Sequence, residues 1–346
     1  MRIFLISGIL PCLLFTGIGN ASSSGNEQLS SKVTSRIRAI TREKSPAVVR
    51  IRCADGHGEV NGTGFYIDPT GTVCTIADIV RGASEITILQ DGSALPARVL
   101  AIDSQSGLAF LKANETTPAP ESTGNCFLPA RSITIPPAPT PVLGIGFPRE
   151  NGATPALGMI TGLEKHDGNH FHCVPHLTAN LSLTEGEGGS PLLDLSGNLL
   201  GMVISGNTQL GICRILPASA IEKLHQDILR SGRLEPGWVG AVVEEAAVPQ
   251  GNSRARLVSI ELGSPAERAG LQPGDIILSL GDRLIAEPED VLGASFYLTA
   301  GQTIRVVILR GGKTRQFDVH CTLPPGSNED ERVGASTPAQ LGEPVP

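Results

Sequence analysis

The chain is short of aromatic side chains, of clustered positive charge and of apolar runs beyond its first residues. Aromatics make up 3% of the 346 residues, against 41 Gly and 26 Pro. So many turn-formers with so few large rings favour short strands and frequent reversals, an all-β plan rather than a helix bundle. Lys and Arg number 27 against 34 Asp and Glu, a formal charge of −7, and no block of basic residues occurs. Phosphate binding needs clustered Lys and Arg, so nucleic acid is not an expected partner. Hydrophobic content of 40% with 18% charged residues describes a globular chain, long enough for two or three domains.

The one long apolar stretch lies at the start. Arg2 precedes Ile3 to Ile18, and Gly19-Asn20-Ala21 supplies small residues at cleavage spacing. This pattern predicts an export signal over residues 1–21, short for a spanning helix, which needs about 20 apolar residues. Retention as an anchor is the alternative. Export implies a periplasmic or extracellular destination. Beyond the signal stand Cys53, Cys74, Cys126, Cys173, Cys213 and Cys321. An oxidising compartment would let them pair, but six cysteines allow about 15 pairings. Buried apolar thiols fit equally well, and the spacing matches no zinc pattern.

Ser22 to Asn26 is small and polar and is expected to be mobile. Leu29, Val33, Ile37 and Ile40 recur at helical spacing and predict a helix over 28–43. The period then changes. Short strands are expected at Ala47–Arg52, Gly64–Ile67, Val73–Ile76, Glu85–Leu89, Ala97–Ile102 and Ala109–Leu111, a small antiparallel barrel. Thr116 to Gly124 reads as a Pro-rich connector. A second strand-rich block contains Ser132–Ile135, Val142–Ile145, Gly158–Gly162, His170–Val174, Leu192–Leu193, Leu199–Ile204 and Gly211–Ile215. Pro217 to Arg230 reads as a helix ended by Gly232. From Gly237 the pattern is mixed: a strand at Leu257–Ile260, a short helix at Ser264–Leu271, a strand at Ile276–Leu280, a helix at Pro288–Leu298, and a hairpin of Thr303–Leu309 with Thr314–Cys321. The expected division is 1–21 signal, 22–45 N-terminal segment, and 46–232 a double barrel (46–115 and 126–216, with helix 217–232). A mixed domain at 237–323 and a disordered tail at 324–346 follow.

Several framework words stand in a fixed order: Gly62-Thr63-Gly64-Phe65, Asp103 before Gly107-Leu108-Ala109, Gly144-Ile145-Gly146-Phe147-Pro148, Gly158-Met159-Ile160, and Pro191-Leu192-Leu193-Asp194 with Gly197-Asn198-Leu199-Leu200-Gly201. Gly263 to Leu280, with Ser264-Pro265-Ala266, Ala269-Gly270-Leu271 and Gly274-Asp275, adds a later word. Over roughly residues 33–323 this set resembles the Do-like (HtrA) serine proteases, exported trypsin-fold enzymes with PDZ domains. The resemblance implies two six-stranded antiparallel β-barrels followed by an α+β PDZ domain.

Three departures accompany it. The family's histidine position holds Asp78, its aspartate position Gly107 and its serine position Gly188. Triad chemistry needs a hydroxyl beside a base of near-neutral pKa and a carboxylate to orient that base. A carboxylate with a reference pKa of about 3.9 is a poor base at neutral pH, and two glycines supply neither of the other groups. Ser190 lies two residues away, up to roughly 6–7 Å along an extended chain, where a working pair needs about 2.6–3.2 Å. Backbone N–H groups at Gly186 and Gly188 correspond to the family's oxyanion donors and need no side chain. His166, His170, His172 and His176, with Cys173, form a histidine-rich stretch without an acidic ligand in register, so no metal or other cofactor is expected.

Gly237-Trp238-Val239-Gly240-Ala241 takes the place of the PDZ carboxylate-binding loop. A peptide strand is then expected beside Ala241, Val242 and Val243, facing Val291 and Leu292. The expected protein is an exported, catalytically inactive protease homologue, a pseudoprotease. It would bind polypeptide C-termini or unfolded segments as chaperone, scaffold or regulator of an active HtrA-like relative, with a homo-oligomer possible. An active endopeptidase with a rearranged site and a structural subunit of an envelope complex are the alternatives.

Overall fold

The computed structural model describes residues 23–56, 58–114, 126–131, 135–149, 151–167, 170–207, 211–250 and 252–326. The expected signal, the connector 116–124, His57 and most of the C-terminal tail lie outside these residues. The chain divides into two compact units, Met1–Ala39 and Ile40–Pro346. Among described residues the first unit is wholly helical, part of helix α1 (Ser23–Lys44). The helix starts earlier than its apolar stripe, so Ser23–Asn26 is helical rather than irregular. Once a stripe nucleates a helix, each further residue adds one hydrogen bond.

In the second unit the strands β1 (Val48–Ala54), β2 (Glu59–Tyr66), β3 (Thr72–Ile76), β4 (Glu85–Gln90), β5 (Ser93–Asp103) and β6 (Leu108–Ala113) close a barrel in the order β1-β2-β3-β6-β5-β4. Alternation places Val49, Ile51, Val73, Ile88 and Leu111 in its core. The single turn α2 (Ala77–Val80) follows β3 directly.

The second barrel comprises β7 (Thr140–Gly146), β8 (Thr154–Asp167), β9 (His170–Ala179), β10 (Pro191–Asp194), β11 (Leu199–Asn207) and β12 (Ile212–Pro217), closed as β10-β11-β12-β9-β8-β7. Val142, Ile160, Leu177, Leu192, Val203 and Ile215 fill it. The strand expected at Ser132–Ile135 is not one of the six. Ile135 is in no strand and is exposed, and residues 132–134 are outside the described set. A run of alternating residues followed by Pro136 and Pro137 loses ladder donors, so pairing starts at Thr140 instead.

Helix α3 (Ala218–Ser231) follows, with Pro217 at its N-cap and Gly232 ending it at φ +72°. The mixed domain contains β13 (Ala241–Gln250), β14 (Ser253–Ile260), α4 (Pro265–Ala269), β15 (Ile276–Leu280), β16 (Arg283–Leu284), α5 (Pro288–Phe296), β17 (Thr303–Arg310) and β18 (Lys313–His320). Its sheet order is β13-β14-β15-β17-β18, with β16 paired to β15. Trp238 N–H donates to Thr322 O at 2.7 Å and Thr322 N–H to Trp238 O at 3.1 Å, so the two ends of the domain are bonded to each other.

Helix α3 ties the domain to the barrels. The buried Asp227 carboxylate accepts from Lys223 Nζ (2.6 Å), Arg230 Nη2 (3.2 Å) and Thr299 Oγ1 (3.2 Å). Ser219 Oγ and Tyr297 Oη lie 2.9 Å apart. On the first-barrel side, His225 Nε2 meets Asp68 Oδ2 at 2.9 Å, both residues buried. Burial alone would raise the Asp68 carboxyl. Hydrogen bonds from His225, Thr70 and Thr72 outweigh it and hold the group well below the usual carboxylate range.

Cys53, Cys74, Cys126, Cys213 and Cys321 are free thiols. Burial pushes Cys53 and Cys321 up to about 11 and Cys74 well above its ordinary value, so these sulfurs act as apolar core rather than as nucleophiles.

Candidate functional site

The three departed positions come together where the barrels meet. Ala77 N–H donates to Gly107 O at 2.7 Å, which joins the β3–α2 junction to the β5–β6 turn. Thr63 N–H donates to Gly188 O at 2.9 Å, which joins β2 to the loop before β10. A Cβ built on Gly188 would lie 2.7 Å from Ile76 Cδ1, and one built on Gly107 would lie 3.7 Å from Ile204 Cγ2 in the second barrel. Asp78, in α2, is exposed. Gly107 has φ +71°, a conformation that strains any residue with a Cβ.

Thr63 organises this junction, a role the sequence did not reveal. It is fully buried. Its Oγ1 donates to Gly186 O at 2.8 Å and accepts from Phe147 N–H at 2.9 Å, while its carbonyl accepts from Thr75 Oγ1 at 2.7 Å. The loop after it is held by its own bonds. Glu187 N–H reaches Thr184 O, Gly189 N–H reaches Val203 O, and Ser190 N–H reaches Glu187 O. The N–H groups of Gly186 and Gly188 are not among these donors. Glu187 is itself buried, its carboxylate accepting from Thr184 Oγ1 at 2.9 Å. Gly189, at φ +90°, leaves no room for a side chain, since a Cβ there would sit 2.0 Å from Thr63 O.

Ser190 is fully buried and its Oγ donates to Glu187 O at 2.6 Å. The hydroxyl is committed to holding the turn. Beside the loop lies a cavity of about 620 Å³ lined by Arg149, Asn180 to Glu185 and Gly211. The Arg149–Glu185 ion pair at its mouth is largely exposed and contributes little to stability.

The second candidate site is the Gly237 to Val243 segment. Gly237 N–H donates to Leu298 O, and a Cβ at Gly237 would meet Leu298 Cβ at 2.7 Å. Trp238 is taken up by the Thr322 bridge. Val239 O accepts from Ala266 N–H and Gly240 O from Glu261 N–H, both at 2.9 Å, so these carbonyls turn inward. Gly240 has φ +74°, and a Cβ there would lie 2.3 Å from Ser264 Cβ. Val239, Ala241, Val243 and Val291 pack on the domain core, whereas Val242 (58% exposed) and Leu292 (45%) do not. β13 is a sheet edge, the geometry that accepts an added strand. Across the second barrel, Asp290 of α5 pairs with Lys165 at 2.7 Å, and the site of a Cβ on Gly293 is 3.4 Å from Pro175 Cδ. Of the histidine-rich stretch, the side chains of His166, His170 and His172 lie outside the described residues, and His176 is buried.

Residues 62–202 match the family described as a trypsin-like peptidase domain, and residues 238–321 match the PDZ domain. The chain is 27% identical over 281 residues to a probable periplasmic serine endoprotease DegP-like of Rhizobium meliloti (strain 1021), covering 78% of this chain and 54% of that one. It thus spans about half the length of that relative. It is 26% identical over 310 residues to the serine endoprotease DegS of Escherichia coli (strain K12), covering 83% and 86%. The structure of the HtrA-type protease AlgW with tripeptide superposes with a TM-score of 0.67 at 23% identity, over 84% of this chain and 97% of that one. Two closed barrels, a PDZ sheet and these likenesses agree: the chain joins a trypsin-like peptidase domain to one PDZ domain and is a homologue of the HtrA-type serine endoproteases DegS and DegP.

Proposed function

We propose that this chain is an exported, periplasmic pseudoprotease that binds polypeptides through its PDZ domain, as chaperone, scaffold or regulator of an active relative. The observation that carries the reading is the identity and setting of the three positions. Asp78, Gly107 and Gly188 sit together at the barrel junction and offer neither nucleophile nor near-neutral base. Ser190 does not replace the nucleophile, because its hydroxyl is buried and spent on Glu187 O. Peptide recognition is supported by the edge strand β13 and by the turned-in loop at Gly240.

The test is hydrolysis of an unfolded protein substrate by the purified chain. We expect no turnover above a residual of about 10³–10⁴ over the uncatalysed rate, negligible for proteolysis. Cleavage that stops when a fluorophosphonate labels Ser190 would replace this reading with an active endopeptidase of rearranged site.

A further inference from the structure

We propose that the outer face of β13 is a specificity subsite, which selects an apolar side chain at the penultimate residue of a docked polypeptide C-terminus. The subsite presupposes the peptide-binding PDZ domain proposed above. It adds which residue of the peptide is recognised on the side away from the domain core.

The register of β13 decides which of its groups a peptide can reach. Ala241 pairs with Ile260 and Val242 with Ser259. Glu261 N–H donates to Gly240 O at 2.9 Å, so Gly240 and Glu261 form a bonded pair. Bonded and non-bonded pairs alternate along an antiparallel ladder, which turns the N–H and C=O of Ala241 away from β14 and toward the free edge. Val243, two residues on, presents its own backbone groups the same way. An antiparallel strand with its terminal carboxylate at the Gly240 turn therefore sets its last residue opposite Ala241 and its penultimate residue opposite Val242. The next residue back lies opposite Val243 and the fourth from the end opposite Glu244. Opposed side chains share a face of the sheet. Ala241 and Val243 pack on the domain core, so the last residue and the third from the end turn inward. The penultimate residue turns outward beside Val242.

That outward position is apolar. Val242 is 58% exposed. The register slips beside it: Val242 faces Ser259 and Val243 faces Leu257, which leaves Val258 as the extra residue of a bulge. Leu257 is buried, whereas Val258 is 42% exposed and Ser259 is exposed, so Val258 stands on the outer face with Val242. Two β-branched apolar side chains are thus uncovered at one place on the edge strand. One step along the same face the chemistry changes, because Glu244 opposes Arg256 and the two form an ion pair. The apolar patch therefore meets the penultimate residue, and the fourth from the end meets charge. Directly opposed apolar side chains have Cβ atoms about 4.5–5.5 Å apart and contribute up to about five-fold in affinity.

The experiment is fluorescence polarisation of the full chain with labelled hexapeptides. One ends in Ser-Leu-Val-Leu, a second in Ser-Leu-Ser-Leu and a third, the isomer of the first, in Val-Leu-Ser-Leu. We expect the first to bind about three- to five-fold tighter than either of the others. Val242→Thr with Val258→Thr keeps the branched shape that suits a strand and should bring the ratios below about two, with the second peptide bound as before. Val60→Thr, equally exposed on β2 of the first barrel, should leave the ratios unchanged. Equal binding of the three peptides, with the amidated form of the first not bound, overturns the subsite while the PDZ reading stands. Ratios that ignore the Val242 and Val258 substitutions, or fall equally with Val60→Thr, also overturn it. Absence of binding by every free-acid peptide would remove the PDZ reading and the subsite together.

Discussion

Gly188 and Gly189 are neighbours with opposite tolerances. A side chain at 188 meets only the Ile76 side chain, closest at Cδ1, the end of a flexible chain that can rotate away. At 189 it meets the Thr63 carbonyl at 2.0 Å in a backbone of φ +90°. Gly188→Ser should therefore cost less than about 1 kcal/mol and Gly189→Ala at least about 2 kcal/mol, measured by urea unfolding. Equal costs would mean the loop is not held against Thr63. Asp68 makes a second residue-scale prediction. Its folded-state pKa is depressed, so its contribution is complete above the unfolded value of about 3.9 and fades as pH falls through the folded one. Stability below about pH 4 should thus drop in the wild type and drop less in Asp68→Asn, whose neutral amide does not titrate. That the segments of Asp78, Gly107 and Gly188 meet was legible from framework words alone. The partners of Thr63 and of Asp68 were not, because Gly186 lies 123 and His225 157 residues away along the chain.

Helix α3 is the element on which the domains depend. Its Asp227 gathers a lysine, an arginine and a threonine from two parts of the fold around one buried carboxylate. Asp227→Ala leaves Lys223 without its anion in a site where that side chain is only 9% exposed, and should cost about 3–5 kcal/mol. Because Thr299 belongs to the PDZ domain, calorimetry of this variant should resolve a PDZ transition that the wild type merges with the barrels. A single unshifted transition would show that the carboxylate does not couple them. Sequence periodicity found α3 and most strands because one face of each is buried: β1 alternates in burial from Val49 to Ala54. Periodicity failed where helix propagation or the lack of backbone donors decided the matter. Ser23–Asn26 has no apolar marker yet is helical, and Ile135 alternates well but is followed by prolines that cannot donate.

For the molecule as a whole, function is expected to reside in the PDZ groove. A peptide adding beside β13 would place its carboxylate on the N–H groups near Val239, Gly240 and Ala241 and its apolar side chains over Val243 and Val291. One such site supports about micromolar affinity, roughly −8 kcal/mol. Fluorescence titration should show that amidating the peptide terminus removes binding, because the charge-assisted hydrogen bonds go with it. Gly240→Val should do the same, since its Cβ would collide with Ser264. Equal binding of amidated peptide would move the interaction away from this loop. The tight backbone at Gly237 and Gly240 was readable from the glycines themselves. The exposure of Val242 and Leu292 was not, because facing direction along β13 and α5 depends on the register of each against the sheet.

The paired bonds between Trp238 and Thr322 bring the two ends of the PDZ fold to one point. Cα atoms in such a pair lie about 5.5 Å apart, so removing everything between them leaves a gap that a residue or two can close. Duplicating the same stretch would start the second copy beside α3, where the first began. Insertion of a further copy after the first would keep the Thr299–Asp227 contact and both barrels as they are, so the number of such modules can grow without redesign of the body that bears them.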